Sequence, residues 1–550
     1  MSSSHTKKIT RPTPPWYDAK RAQEILDAYN RGAGSTQPAD EFAARSVLPA
    51  GTGSQRDFSY IAPDIPLFIA PNCVGCMECV NNCPDTAILG KALTEETVDA
   101  ELAKVPDEKT RAFLKEQFVV TTKYHATYEK KRAKDPSAPP GALFGIFVDP
   151  TKCKGCGECV EVCGDHRALQ MIKKTPENLP RFFTIWDFHN AVPPTPDAYI
   201  NPKVVVDLML RESNNQYMGG GGSCMGCGEA SVIRQLLTMT AEKVGADYGI
   251  VAATGCNTVY GSTYPYNPFL VPWANSLFEN VATFAMGIRQ FWNQTGHKDR
   301  VLWTFGGDGA MVDIGFQALS RLLASGQNVK VLILDTQVYS NTGGQTSTAT
   351  YIGQEAKMSV HGKVVPGKTE RRKEIGLICM MHPRTFVAQV VGPMTGHFYK
   401  AVARALEFDG PAVINAYTTC QPEHGVADDM SAAQARLAVE SRAFPIFVYD
   451  PDAGETLRER LSLQGNPSVD RDWHTRKAKD GGIETVDFAS WARTEGRFRK
   501  HFDKNGNPSE TLLRSQAERL ENWRLLQEMA GIANKDRAPA KSAALQSAGA

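Results

Sequence analysis

No stretch of the 550 residues approaches the ~20 consecutive apolar residues that a membrane-spanning helix needs. Charge of one sign is equally scarce: 61 Lys+Arg against 60 Asp+Glu leave a formal net charge of +1. So weak a field argues against a chain held to nucleic acid or anionic lipid by electrostatics, and neither partner is expected. The run Met1-Ser-Ser-Ser-His-Thr-Lys-Lys has none of the apolar length of a secretory signal, so the expected location is the cytoplasm. What is abundant is cysteine. In a reducing compartment, thirteen of them are metal ligands or redox groups sooner than disulfides.

At roughly 150 residues per domain the chain holds two to four folded units. Residues 1–62 are rich in Pro, Ser, Gly and Ala, with one helix-like stretch near Ala19 to Tyr29, and read as an extension wrapped on the rest. Residues 63–215 hold eight cysteines around a charged, helix-prone insert from Leu93 to Ser137, and end in a proline-rich linker. Across 216–450 the apolar runs Tyr248-Gly-Ile-Val-Ala-Ala, Val301-Leu-Trp-Thr-Phe, Val329-Lys-Val-Leu-Ile-Leu and Ala412-Val-Ile-Asn-Ala alternate with amphipathic stretches. That pattern predicts a parallel sheet covered on both faces, with cofactors at the carboxyl ends of its strands. Residues 451–550 form a helical extension, with a charged helix over 510–529 and a frayed tail. The expected fold class is α/β, a parallel-sheet domain joined to a small α+β ferredoxin-like domain.

The cysteine runs carry the strongest signal. Cys73-Val-Gly-Cys76-Met-Glu-Cys79-Val-Asn-Asn-Cys83-Pro84 and Cys153-Lys-Gly-Cys156-Gly-Glu-Cys159-Val-Glu-Val-Cys163-Gly164 both fit C-x2-C-x2-C-x3-C. This spacing turns three thiolates toward one point and sends the fourth toward the neighbouring loop. Two [4Fe-4S] clusters follow, one on Cys73, Cys76, Cys79 and Cys163, the other on Cys153, Cys156, Cys159 and Cys83. Zinc is the competing reading of a lone C-x-x-C, but two complete copies disfavour it. The runs resemble bacterial two-cluster ferredoxins, from which Gly164 departs where that family usually has proline.

Of the other five cysteines, Cys379 lies in the apolar Leu377-Ile-Cys-Met-Met and reads as packing. Spacing alone leaves open whether Cys224, Cys227, Cys256 and Cys420 share a metal. Gly306-Gly307-Asp308-Gly309 ends one apolar run, and Asp335-Thr336-Gln337-Val338-Tyr339-Ser340-Asn341-Thr342-Gly343-Gly344-Gln345 ends the next. Glycines there let backbone approach phosphate oxygens, and Asp308 offers Mg2+ a hard carboxylate. Gly-Asp-Gly by itself is an ordinary turn; the Asn341 segment about 30 residues on makes the pair specific.

Together with Ser223-Cys224-Met-Gly-Cys227-Gly-Glu229, Ala253-Thr-Gly-Cys256 and Trp273-Ala-Asn-Ser-Leu-Phe-Glu279, these motifs resemble the C-terminal part of pyruvate:ferredoxin oxidoreductase, in the 2-oxoacid:ferredoxin oxidoreductase family. The resemblance implies a third [4Fe-4S] cluster on Cys224, Cys227, Cys256 and Cys420, close to thiamine diphosphate. It implies Mg2+ on Asp308, the Thr336 side chain and the Val338 carbonyl, with Gly307 and Gly309 at the diphosphate, Glu229 touching the cofactor and Asn341 near its reactive carbon. The implied reaction is 2-oxo acid + CoA to acyl-CoA + CO2, with two electrons leaving through three clusters to ferredoxin or flavodoxin. The family's earlier domains have no counterpart here, so a second subunit carrying the pyrimidine-binding half is expected. Another 2-oxo acid, an electron-transfer subunit without thiamine chemistry, and a non-oxidative thiamine lyase are the alternatives. The Glu129-Lys-Lys-Arg-Ala-Lys run and His166 read as solvated surface, and nothing in their spacing singles out Arg289, Arg371 or Arg372 as phosphate contacts.

Overall fold

The apolar runs become strands of one sheet in the computed structural model, which describes residues 15–360, 367–478 and 481–537. In chain order the strands are β1 (Asp64–Phe68), β2 (Ile88–Thr94), β3 (Phe118–Val120), β4 (Ala142–Val148), β5 (Leu169–Lys173), β6 (Tyr248–Ala253), β7 (Trp273–Ser276), β8 (Val301–Gly307), β9 (Lys330–Asp335), β10 (Phe386–Val391), β11 (Ala412–Tyr417), β12 (Phe447–Tyr449) and β13 (Leu461–Ser462). The large sheet runs β13-β12-β10-β11-β9-β8-β6-β7. Every neighbouring pair from β10 to β7 is parallel. The α/β parallel-sheet expectation holds, with β12 and β13 added as an antiparallel margin.

Strands β9, β10 and β11 are buried along their whole length, because residues of both parities are apolar enough to leave water. Leu332 and Leu334 share a core with Ile233, Leu236 and Leu237 of the helix Gly228–Val244. Val331 and Ile333 share the opposite core with Leu319, Leu322 and Leu323 of the helix Phe316–Ala324. Each such side chain contributes about 1.5–3 kcal/mol by burial.

In the cysteine-rich part β1 pairs with β5, and β4 lies between β2 and β3, all antiparallel. The insert is therefore not purely helical. Its helices Glu95–Leu102 and Glu108–Lys115 lead into β3, which edges the second sheet. Val80, Ile88, Phe144 and Ile146 fall in the same apolar cluster as Leu332 and Ile233, so the two parts share one continuous core. The helix Ala19–Asn30 lies in the amino-terminal extension, tied down where Tyr266 donates to Asn30 Oδ1 (2.5 Å) and Tyr264 to Asp40 Oδ2 (2.6 Å). Further on, Phe58 N donates to Thr151 O (2.7 Å), two residues before Cys153. Most of the expected tail, 538–550, and residues 1–14 lie outside the described residues. Among the described residues no helix is long and apolar enough to cross a membrane.

Lys330 opens β9 with its ammonium buried, donating to the carbonyls of Phe408 (2.5 Å) and Gly410 (3.1 Å). Burial pulls it down to about 7, against a smaller opposing pull from Asp409. Between that value and the ordinary lysine value of about 10.4 the folded protein binds fewer protons than the unfolded chain. Stability is therefore expected to rise with pH across this window, by up to about 1.4 kcal/mol per pH unit from this group. Lys330→Met should flatten the rise; denaturant unfolding at pH 7 and pH 9 reads the slope, and an unchanged slope contradicts the assignment.

Candidate functional site

The chain enters the sheet at β6, places β7 on one side and then crosses to β8 on the other, which opens a crevice beyond their carboxyl ends. The segments after β6, β8, β9 and β11 begin Thr254-Gly255-Cys256, Asp308, Thr336 and Thr418-Thr419-Cys420. All of them meet at this edge. A cleft of about 270 Å³ there is lined by Gly307, Asp308, Gly309, Thr336, Val338, Asn341, Glu229 and Cys256, together with Phe278, Ile314 and Ser340. A larger cavity of about 450 Å³ lies between β1, β3 and Phe182, and none of these residues line it.

Three hard oxygens converge at the closed end of the cleft. Thr336 Oγ1 lies 3.2 Å from Asp308 Oδ1 and 3.0 Å from Val338 O, and Ser347 donates to Asp308 Oδ2. Asp308 is 1% exposed. Burial, then repulsion from Asp335, pushes its carboxyl well above the usual carboxylate range. A divalent cation would relieve exactly that cost, and an aspartate, a hydroxyl and a carbonyl are the ligand types Mg2+ takes. After Asp308 the chain forms a π-helical turn, Gly309–Ile314, instead of a regular first helical turn. A Cβ on Gly309 would stand 2.7 Å from the Tyr339 ring, so this corner has room for no larger residue. Glu229, in the first turn of Gly228–Val244, accepts from Tyr260 (3.0 Å). Burial pushes its carboxyl up to about 7, against the tyrosine hydrogen bond. Asn341 is exposed on the rim.

The cysteines form three sets. Cys73, Cys76, Cys79 and Cys163 line one small cavity, and Cys83, Cys153, Cys156 and Cys159 line another, each of about 20 Å³. The fourth cysteine of each run thus faces the other run's triplet. Both loops turn through left-handed backbone at Gly75 and Gly155, each at φ +74°. His166 is exposed yet borders the first cavity. In the third set, burial first, then Glu229 and the neighbouring cysteines, raise the thiols of Cys227 and Cys256. Ligation needs the thiolate, so a cation bound among them would offset that cost. Cys379 lies apart, buried in the core behind β10, with its thiol pushed up to about 12. Among the described residues no group of three or more His, Cys, Asp or Glu is placed to hold a single metal ion.

Two joints that spacing did not reveal hold the sets together. Lys154, inside the second run, pairs with Asp85 (2.7 Å) and donates to Ser223 O (2.7 Å) and Gly221 O (3.0 Å), which locks the second run onto the loop before Cys224. Glu158, also inside that run, accepts from Ser431 N (2.9 Å) and Ala432 N (2.8 Å). No local pattern marks these residues, because their partners lie tens to hundreds of positions away. The arginines weighed as phosphate contacts serve other ends. Arg372 is buried against Asp335, Arg289 donates to His297 O (2.8 Å) and Arg300 O (2.6 Å), and Arg371 pairs with Glu521 on the surface.

Gly226, between Cys224 and Cys227, sits at φ +68°, and a Cβ there would stand 1.8 Å from Asp428 O. The obstacle is the Asp428 backbone, with the Gln421 amide on another side, so relief needs the main chain to move. Gly226→Ala is expected to cost at least the 1–3 kcal/mol, roughly, of a strained non-glycine residue, and to displace Cys224 and Cys227. Thermal unfolding with iron analysis reads both effects; an alanine variant with native iron and stability contradicts this packing.

The profile of the thiamine pyrophosphate enzyme C-terminal TPP-binding domain matches residues 253–416, and that of the 4Fe-4S binding domain matches residues 146–165. A pyruvate-flavodoxin oxidoreductase of Rhodospirillum rubrum is 26% identical over 92% of this chain and 44% of its own length. A probable pyruvate-flavodoxin oxidoreductase of Escherichia coli is 26% identical over 93% of this chain and 45% of its own. Pyruvate:ferredoxin oxidoreductase of Moorella thermoacetica is 28% identical over 79% and 40%. The chain thus spans less than half the length of these relatives. With a thiamine pyrophosphate-binding sheet domain joined to a 4Fe-4S ferredoxin motif, it resembles the C-terminal part of the pyruvate:ferredoxin and pyruvate-flavodoxin oxidoreductases.

Proposed function

We propose that this chain is the thiamine diphosphate- and iron-sulfur-carrying part of a cytoplasmic 2-oxoacid:ferredoxin oxidoreductase. It would turn pyruvate and CoA into acetyl-CoA and CO2, passing two electrons through three [4Fe-4S] clusters to ferredoxin or flavodoxin, with the reverse reaction open to it. The observation that carries this reading is the double membership of Cys256, which lines the cleft beside Asp308 and stands in the third cysteine set with Cys227 and Cys420. A redox centre on that set would border the place where electrons are released.

Thiamine diphosphate, when bound, supplies the electron sink that decarboxylation of a 2-oxo acid requires. Asp308, Thr336 Oγ1 and Val338 O would hold its Mg2+, with the diphosphate against Gly307 and Gly309. Glu229, oriented by Tyr260, would hydrogen-bond the cofactor from the buried side, and Asn341 would face the reacting carbon from the rim. Ser340 donates to Thr336 Oγ1 (2.7 Å) and stands beside Cys420, so it would lie between the metal site and the third cluster. With the Lys154–Asp85–Ser223 joint between them, a cluster on Cys83, Cys153, Cys156 and Cys159 would be the next in line. The set of Cys73, Cys76, Cys79 and Cys163, beside exposed Val74, would deliver electrons to the carrier.

The aminopyrimidine carboxylate and much of the 2-oxo acid pocket are assigned to a second subunit. Support comes from apolar residues left in water. Ile314, which lines the cleft, is 52% exposed, Leu277 is 60% exposed, and exposed Phe284 and Phe291 share one face of the helix Val281–Gln294. The test is anaerobic purification of the native assembly with whatever polypeptides accompany it. Pyruvate with CoA should reduce ferredoxin or flavodoxin faster than 2-oxoglutarate or a branched or aryl 2-oxo acid does, and the isolated chain loaded with Mg2+, thiamine diphosphate and clusters should not. Faster turnover of another 2-oxo acid would replace pyruvate in this reading; robust turnover by the isolated chain would remove the second subunit.

A further inference from the structure

Arg234 lies two turns into the helix Gly228–Val244, and its side chain points away from the thiamine cleft into the cysteine-rich part. It is 1% exposed. One guanidinium nitrogen, Nη1, donates to the carbonyls of Val80 and Cys83 (3.3 Å for the second), while Nε and Nη2 are buried without a hydrogen-bond partner. Among the described residues no carboxylate stands at ion-pair distance from it, and the nearest acid, Asp85, already pairs with Lys154. A buried, unpaired cation is costly to keep. The groups that its charge reaches most strongly are Cys83, then Cys79. These two cysteines line different cavities, Cys79 that of the first set and Cys83 that of the second.

We propose that Arg234 is a fixed counter-charge shared by the two clusters of the paired cysteine runs, holding the reduction potentials of both more positive than they would be without it. The inference rests on the reading that these runs hold [4Fe-4S] clusters. Each cluster with its four thiolates carries net negative charge, and one-electron reduction adds another. A neighbouring buried cation therefore favours the reduced form, and cluster potentials follow net charge, hydrogen bonding and exposure. The arginine reaches both clusters because its helix packs on the short helix Glu78–Asn82, which carries Cys79 and ends at Cys83. Ser231 Oγ donates to Asn82 O (3.2 Å) and Gln235 Nε2 to Asn81 O (3.3 Å), fixing the two helices against each other on either side of Arg234. The helix whose first turn carries Glu229 thus also sets the electrical environment of the outward route.

The test is a redox titration of the cluster-loaded protein followed by electron paramagnetic resonance, with dithionite as electron donor, on wild type, Arg234→Gln and Thr238→Asp. Position 238 is one helical turn from Arg234 and buried, so an aspartate there neutralises the guanidinium while leaving its carbonyl bonds in place. In both variants the midpoint potentials of the paired clusters should move to more negative values, and that of the third cluster should move less. Ser231→Ala, which removes a neighbouring helix contact without touching charge, should leave the potentials where they were. Either charge variant that keeps its iron at wild-type potentials overturns the proposal and leaves Arg234 as a cap on the short helix's carbonyls. Wild-type protein with no iron on the paired runs would instead remove the reading beneath it.

Discussion

Asp308→Asn should lower the affinity for Mg2+-thiamine diphosphate by more than about 100-fold, the upper end of what loss of a mere supporting contact to a metal ligand costs. The substitution keeps the size of the side chain and removes only its charge. Two opposite effects on stability are expected from that single change. Without cofactor the variant should be at least as stable as wild type, because burial and repulsion from Asp335 outweigh the hydrogen bonds that the carboxylate accepts from Ser347 and Thr336. With saturating cofactor the wild type should gain stability by mass action and the variant should gain almost none. Thermal unfolding with and without Mg2+ and thiamine diphosphate measures both. A variant that is destabilised alone and still stabilised by the cofactor contradicts the assignment of Asp308 as a ligand.

Cys256→Ser is the second change of large effect. It should take about 4 iron from a total of about 12 per chain, the content of one four-iron cluster out of three. The paired runs stand on their own ligands, so their eight iron should remain. Reduction of ferredoxin by a 2-oxo acid should fall to background, since the proposed route out of the cleft begins at that set. Cys379→Ser is the control: this thiol is buried in the core behind β10, away from all three sets, and its replacement should leave the iron content unchanged. Loss of iron from Cys379→Ser, or full iron in Cys256→Ser, contradicts the division of the cysteines.

What could be read in the sequence was whatever a short stretch of chain determines. The C-x2-C-x2-C-x3-C spacing is local, and the runs that became β6, β8, β9 and β11 are continuous apolar segments with no competing reading. Strand β7 went unread because Trp273-Ala-Asn-Ser lacks the apolar alternation of a strand and gains its place by pairing with β6. Strand β3 was hidden inside a charged insert for the same reason, only three residues long and held by β4. The metal loop shows the limit most clearly. Asp308 and Thr336 are visible as strand-end polar residues, but Ser347, which braces the Asp308 carboxylate, comes 39 positions later with nothing local to mark it. Spacing does not single out Arg372 as a phosphate contact, and only the fold shows its charge spent on Asp335 inside the protein. The pairing of Lys154 with Asp85, and of Arg234 with the carbonyls of Val80 and Cys83, joins segments that no window on the sequence contains.

The account turns on whether the third cysteine set is a redox centre beside a thiamine site. Iron, acid-labile sulfide and thiamine diphosphate measured per chain in one anaerobic preparation test this most directly. About 12 iron with thiamine diphosphate bound is the predicted result; about 8 iron, with the paired clusters intact and Cys224, Cys227, Cys256 and Cys420 carrying none, would contradict it.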